Sequence, residues 1–100
     1  LGLKMAVPWK RQNKMAIPAL IIDWLTCQAD GSVIASHMIQ EDCTSYIRTM
    51  KGGGVLPSTV ERAWRKLRNE DFNTLRNHGI KLEPLGEKYG EHNWKLRLNM

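Results

Sequence analysis

The feature that most limits what this chain can fold into is a change of hydrophobic period at Gly79. Before it, apolar residues recur at the three-to-four spacing of helices; after it they alternate with polar ones, the spacing of a half-buried strand. Ile17, Leu20, Ile21, Trp24, Leu25 and Gln28 form one helical stripe, with Pro18 suited to a first helical turn and Asp30-Gly31 expected as the stop. Val33-Ile34-Ala35 is β-branched and too short for a helix, which predicts a brief strand. Ser36 is placed to cap a second helix whose stripe is Ile39, Cys43, Tyr46, Ile47 and Met50, ended by Gly52-Gly53-Gly54. Beyond Gly79, Ile80-Lys81-Leu82-Glu83 and Trp94-Lys95-Leu96-Arg97-Leu98 alternate around a polar tip from Gly86 to Asn93. This predicts a β-hairpin with Pro84 on an edge strand.

Between these lies the segment from Pro57 to Asn69. Val60, Ala63, Trp64 and Leu67 fall within one sector of about 100° at the helical angle, so a buried seam is expected. Ser58, Glu61, Arg62, Arg65, Lys66 and Asn69 occupy the other side. Ser58 and Glu61 stand at the S-x-x-E spacing of a capping box, in which each side chain satisfies an amide near the other. Phe72, Leu75, Arg76 and His78 extend this helix or add a further turn, which Gly79 closes. Trp24, Trp64 and Trp94 each lie on an apolar stripe and are expected in the core, whereas Trp9 lies on none.

Charge narrows the function classes. Among 100 residues, 15 Lys and Arg oppose 10 Asp and Glu, but the net +5 is sorted along the chain. Residues 1–14 carry Lys4, Lys10, Arg11 and Lys14 with no acid; residues 15–45 carry four acids and no Lys or Arg. Residues 46–68 hold six cations against Glu61 alone. Such blocks favour a directed basic face over a uniformly solvated one. The longest apolar run, Ala19 to Ile22, is far short of the roughly 20 residues of a membrane span. Cys27 and Cys43, with scattered His37, His78 and His92, lack metal-ligand spacing, and both thiols are expected as buried small hydrophobes, so a reduced intracellular protein without a metal or cofactor is expected.

The run Leu56-Pro57-Ser58-Thr59-Val60-Glu61-Arg62-Ala63-Trp64-Arg65-Lys66-Leu67-Arg68 looks like the start of many recognition helices. With the hairpin from Gly79 to Leu96, it makes residues 17–98 resemble a winged helix-turn-helix domain. The resemblance implies a mainly α fold of three helices plus a C-terminal β-hairpin wing, with residues 1–16 as a basic N-terminal arm and 17–100 as the winged-helix domain. One departure is the gap from Lys51 to Pro57, longer and richer in Gly than the usual helix-turn-helix turn.

The expected function is sequence-specific binding of double-stranded DNA, by a transcriptional regulator or the DNA-binding domain of a replication or recombination factor. Helix 57–69 enters the major groove, where Arg, Lys and Asn hydrogen-bond base edges, and the 84–94 wing rests on backbone or minor groove. Arg62, Arg65 and Asn69, with Ser58 at the helix start, are the expected base contacts; Lys66 and Arg68 meet phosphates, and amides around Ser58 and Thr59 hold another. Lys88, His92 and Tyr89 act from the wing tip, and Lys10, Arg11 and Lys14 from the arm. A homodimer or a larger protein assembly is compatible with this, and the chain reads equally as one domain of a longer protein. The alternative is a winged-helix protein–protein adaptor using Glu41, Asp42, Val55 and Leu56. An enzyme is not expected: there is no phosphate-cradling loop with its Lys after the glycines, no nucleophile–base arrangement and no paired carboxylates in an apolar setting. RNA binding is disfavoured because the exposed aromatic pair of an RNA-stacking sheet is missing.

Overall fold

A computed structural model describes residues 15–88 and 90–98. Helix α1 (Ile17–Thr26) starts with Pro18 in its first turn and leads to strand β1 (Val33–Ala35). Helix α2 runs without interruption through Ser36–Met38, a π-helical turn Ile39–Cys43 and Thr44–Lys51. Helix α3 (Pro57–Asn69) and short helix α4 (Phe72–Asn77) follow, and strands β2 (Ile80–Lys88) and β3 (Glu91–Leu98) complete the chain. The sheet is antiparallel with order β1-β3-β2, so β3 is central and β2, with Pro84, is an edge. The chain is thus helix-rich with a small three-stranded sheet, and a fourth short helix joins the three expected ones.

The stripes foreseen in the sequence meet in one core. Leu20, Ile21, Trp24 and Leu25 of α1 pack with Ile39, Cys43 and Ile47 of α2, Val60, Trp64 and Leu67 of α3, and Trp94 and Leu96 of β3. All three expected core tryptophans are buried, and Trp64 meets Trp94 edge-on with ring centroids 5.5 Å apart. That arrangement places the positive ring edge against the negative face and ties α3 to the sheet.

Four local expectations are corrected. Helix α1 ends at Thr26, before Asp30-Gly31, because those residues are used to dock the turn onto the sheet. The Gly31 amide donates to the Leu96 carbonyl (2.7 Å), and Asp30 Oδ1 accepts from the Leu98 amide (2.8 Å). Ser36 is the first helical residue rather than the cap, and its hydroxyl donates across to the His92 carbonyl at 3.2 Å. Cys43 is buried as expected, its thiol pushed up to about 12 mainly by desolvation with Asp42 adding, but Cys27 is exposed. Finally, the strands run on through most of the polar tip, to Lys88 and from Glu91, with a register shift between Pro84 and Gly86. Main-chain pairing needs no apolar side chains where both faces of a hairpin meet water.

The π turn in α2 has a physical basis. The hydroxyl of Thr44, a buried polar residue, donates to the Ile39 carbonyl five residues back at 2.9 Å. The widened turn lets both the amide and the hydroxyl of Thr44 donate to that carbonyl inside the core. The Gly-rich turn after α2 is long but pinned: Gly52 and Gly53 take positive φ, the Gly53 amide donates to the Arg48 carbonyl, and Arg48 Nε donates to the Val55 carbonyl at 2.7 Å.

Candidate nucleic-acid interface

Helix α3 has Leu56 as an extended N-cap and Pro57 as its first helical residue, whose fixed φ suits that place. This puts Ser58 two positions inside the cap, and the expected capping box does not form. The amides of Thr59 and Val60 both donate to the Leu56 carbonyl, at 3.1 and 3.2 Å, so the Thr59 amide expected to face a phosphate is already used. Glu61, the other half of the box, accepts instead from Arg65 Nη2 at 2.8 Å and from Gln40 Nε2 of α2.

With Val60, Trp64 and Leu67 buried behind them, Ser58, Thr59, Arg62, Arg65, Lys66 and Asn69 are all exposed. Six of the expected contact residues therefore share the outer side of one helix. Their charges are not equally available. Arg65 lies one turn from Glu61 in an exposed i, i+4 pair, an arrangement worth roughly 0.3–0.5 kcal/mol and readily exchanged for another anion.

Arg68 departs from the expected outward phosphate contact. It is half-buried, its guanidinium carbon 4.3 Å from the Trp94 ring centroid and 5.5 Å from that of Trp64. Its Nε and the Trp64 Nε1 are buried without a hydrogen-bond partner. Desolvation pushes the Arg68 pKa down and the Arg65 charge pushes the same way, against Glu61. Arg68 is a cation held by aromatic faces rather than by an acid.

The hairpin comes closer to α3 than a distant wing tip would. A shallow cleft of about 400 Å³ brings His92 beside Arg65, Arg68 and Asn69, with Ser36 on the same rim. His92 Nε2 is 3.6 Å from Glu87 Oε2, and Lys88 stands opposite Glu91 in the strand register. Ser58, Thr59, Arg62 and Lys66 do not line this cleft. Tyr89 and the arm residues Trp9, Lys10, Arg11 and Lys14 lie outside the described residues.

Sequence reading missed a further contact at this rim. The His37 amide donates to a Glu91 carboxylate oxygen, and His37 Nδ1 is 2.9 Å from both Glu91 oxygens. The carboxylate raises the His37 pKa, and the same hydrogen bond lowers that of Glu91. Nothing in the one-dimensional pattern pairs residues 54 positions apart. Of the adaptor surface, Val55 is buried and Leu56 is 61% exposed. Among the described residues no group of three or more His, Cys, Asp or Glu could hold a metal, and no helix is long and apolar enough to cross a membrane. Comparison with protein-family models, curated proteins and solved structures gives no match.

Proposed function

We propose that the chain is a winged helix-turn-helix domain that binds double-stranded DNA sequence-specifically, with α3 in the major groove and the hairpin on the flanking backbone or minor groove. The observation that carries this reading is the two-sided character of α3. An apolar seam fixes the helix to the core, and Ser58, Thr59, Arg62, Arg65, Lys66 and Asn69 stand exposed together on the other side. A helix fits the major groove, and Arg and Asn are the side chains that make bidentate contacts to guanine and adenine there. The element order, with β2 and β3 as a hairpin beside α3, supports the same reading. Arg62, Arg65 and Asn69 read bases, Lys66 meets the backbone, and His92 and Lys88 approach from the hairpin. Arg68 serves by fixing the α3–β3 junction and lending its charge from a half-buried position. The role fits a transcriptional regulator or a replication or recombination factor acting inside the cell.

Selection of bound sites from a pool of random duplexes tests this directly. Enrichment of one short motif, lost in the Arg62→Ala and Asn69→Ala variants, is the expected result. A pool that emerges unenriched contradicts sequence-specific reading.

A further inference from the structure

A second concavity adjoins the cleft beside His92 and shares Arg68 and Asn69 with it. It is a groove of about 940 Å³ between the C-terminal end of α3 with α4 on one side and β2 and β3 on the other. Its volume falls within the range of ligand sites, roughly 300–1,000 Å³. Phe72, 48% exposed, and Leu82 give it apolar walls, and Arg68, Arg76 and Lys81 line it as cations. Its two acids are already engaged from within: Arg97 lies 3.8 Å from both Asp30 and Glu83, and Asp30 also accepts the Leu98 amide. Arg68 is stacked on tryptophan and Arg76 lies 5.9 Å from the Phe72 ring centroid, so aromatic faces hold both guanidinium groups. The groove therefore combines apolar walls with positive charge that its own acids do not balance.

Its floor includes Ile80 to Pro84 of β2, an edge strand with no described strand on its outer side. Edge strands offer a row of main-chain donors and acceptors to any extended segment that fits beside them. Pro84 has no amide hydrogen, and the register breaks between Pro84 and Gly86, which confines such pairing to about residues 80–83.

We propose that this groove binds an extended acidic peptide of a partner protein, added as a strand to the outer edge of β2. Main-chain hydrogen bonds along 80–83 supply affinity, and alternate side chains supply specificity. The helix-facing side of the peptide sets an apolar residue against Phe72 and Leu82, its carboxylates on the other side meet Lys81, and Arg76 and Arg68 add positive charge along the groove. A nucleic acid fits this lining less well, because Asp30, Glu83 and the apolar walls offer nothing to phosphates. A second copy of the chain would bring one positively charged groove against another. Arg68 and Asn69 border the groove as well as the DNA-reading side, and Phe72, Arg76 and Lys81, which lie outside the exposed side of α3, separate this proposal from DNA reading.

The test is an amide chemical-shift titration of the full chain with two capped heptapeptides. One alternates Asp or Glu with Val or Leu; the other has Lys at the acidic positions. The acidic peptide is expected to shift and saturate amides at 79–84 and at Arg76, and the lysine peptide to leave them in place. Affinity falls about tenfold or more in Arg76→Glu and in Lys81→Glu, and about threefold or more in Phe72→Ala, all at exposed positions whose spectra report folding directly. The proposal is overturned if both peptides bind alike, or if shifts concentrate on 58–66. Self-association of the free chain through 80–83, or loss of duplex binding in Arg76→Glu without loss of peptide binding, also overturns it.

Discussion

Arg65 and Arg68 lie on the same helix and carry the same charge, yet their surroundings give them different work. Arg65 is exposed and shares its charge with Glu61, so a ligand anion must displace that carboxylate. Replacing Glu61 by Gln removes the competitor while keeping a side chain that reaches Gln40. Duplex affinity in a fluorescence titration is expected to rise by about twofold to fivefold, within the scale of surface charge interactions. An unchanged or weaker affinity would show that Arg65 makes no ligand contact. The His37–Glu91 pair gives a pH prediction. The raised His37 pKa means its contribution is complete below the ordinary 6.5 and is lost as pH rises through the raised value. The lowered Glu91 pKa means its contribution is complete above the ordinary 4.5 and is lost as pH falls through the lowered value. Both act fully between those two pH values, so the melting temperature of the parent should exceed that of His37→Gln most in that window and converge with it toward pH 8. A difference independent of pH would contradict the pairing.

At the scale of elements, α3 was the most legible in the sequence and also held the clearest error. Its seam of Val60, Trp64 and Leu67 follows from period alone, and Trp64→Ala should cost about 3–5 kcal/mol in denaturant unfolding, enough to threaten a domain of this size. Its start did not follow from the S-x-x-E motif, because Pro57 fixes the first helical residue before Ser58 can act as a cap. The hairpin was legible from alternation, and β1 from three β-branched and small residues, but not their order in the sheet. That order depends on the Val33–Lys95 and Ile34–Trp94 pairings, contacts between distant segments. The π turn was illegible for a similar reason, since Thr44 within a helical segment does not announce that its hydroxyl reaches the Ile39 carbonyl. Gly52 behaves as the sequence implies: it ends α2 in the left-handed region, φ 79°. Gly52→Ala should lower unfolding free energy by about 1–2 kcal/mol, the cost of a side chain in that conformation, with the fold retained.

For the whole molecule, charge layout matters more than net charge. The basic side chains form two surfaces with different surroundings. Arg62, Arg65 and Lys66 stand on the open side of α3, while Arg68 turns inward onto two tryptophans and borders both clefts. The first surface was readable from helical spacing. The second was not, because Arg76, Lys81 and Arg97 converge only after α4 folds back beside the hairpin. The central claim, that α3 presents these cations to the DNA backbone and bases, is tested most directly by duplex affinity as a function of salt for the full chain. The logarithm of affinity should fall linearly with the logarithm of salt concentration, with a slope of about −3.5 to −5.5, corresponding to roughly four to six phosphates neutralised. Arg62→Ala should reduce affinity for the selected site by about 1–3 kcal/mol beyond its effect on an unrelated duplex. A slope near zero, or equal losses on both duplexes, would contradict the account.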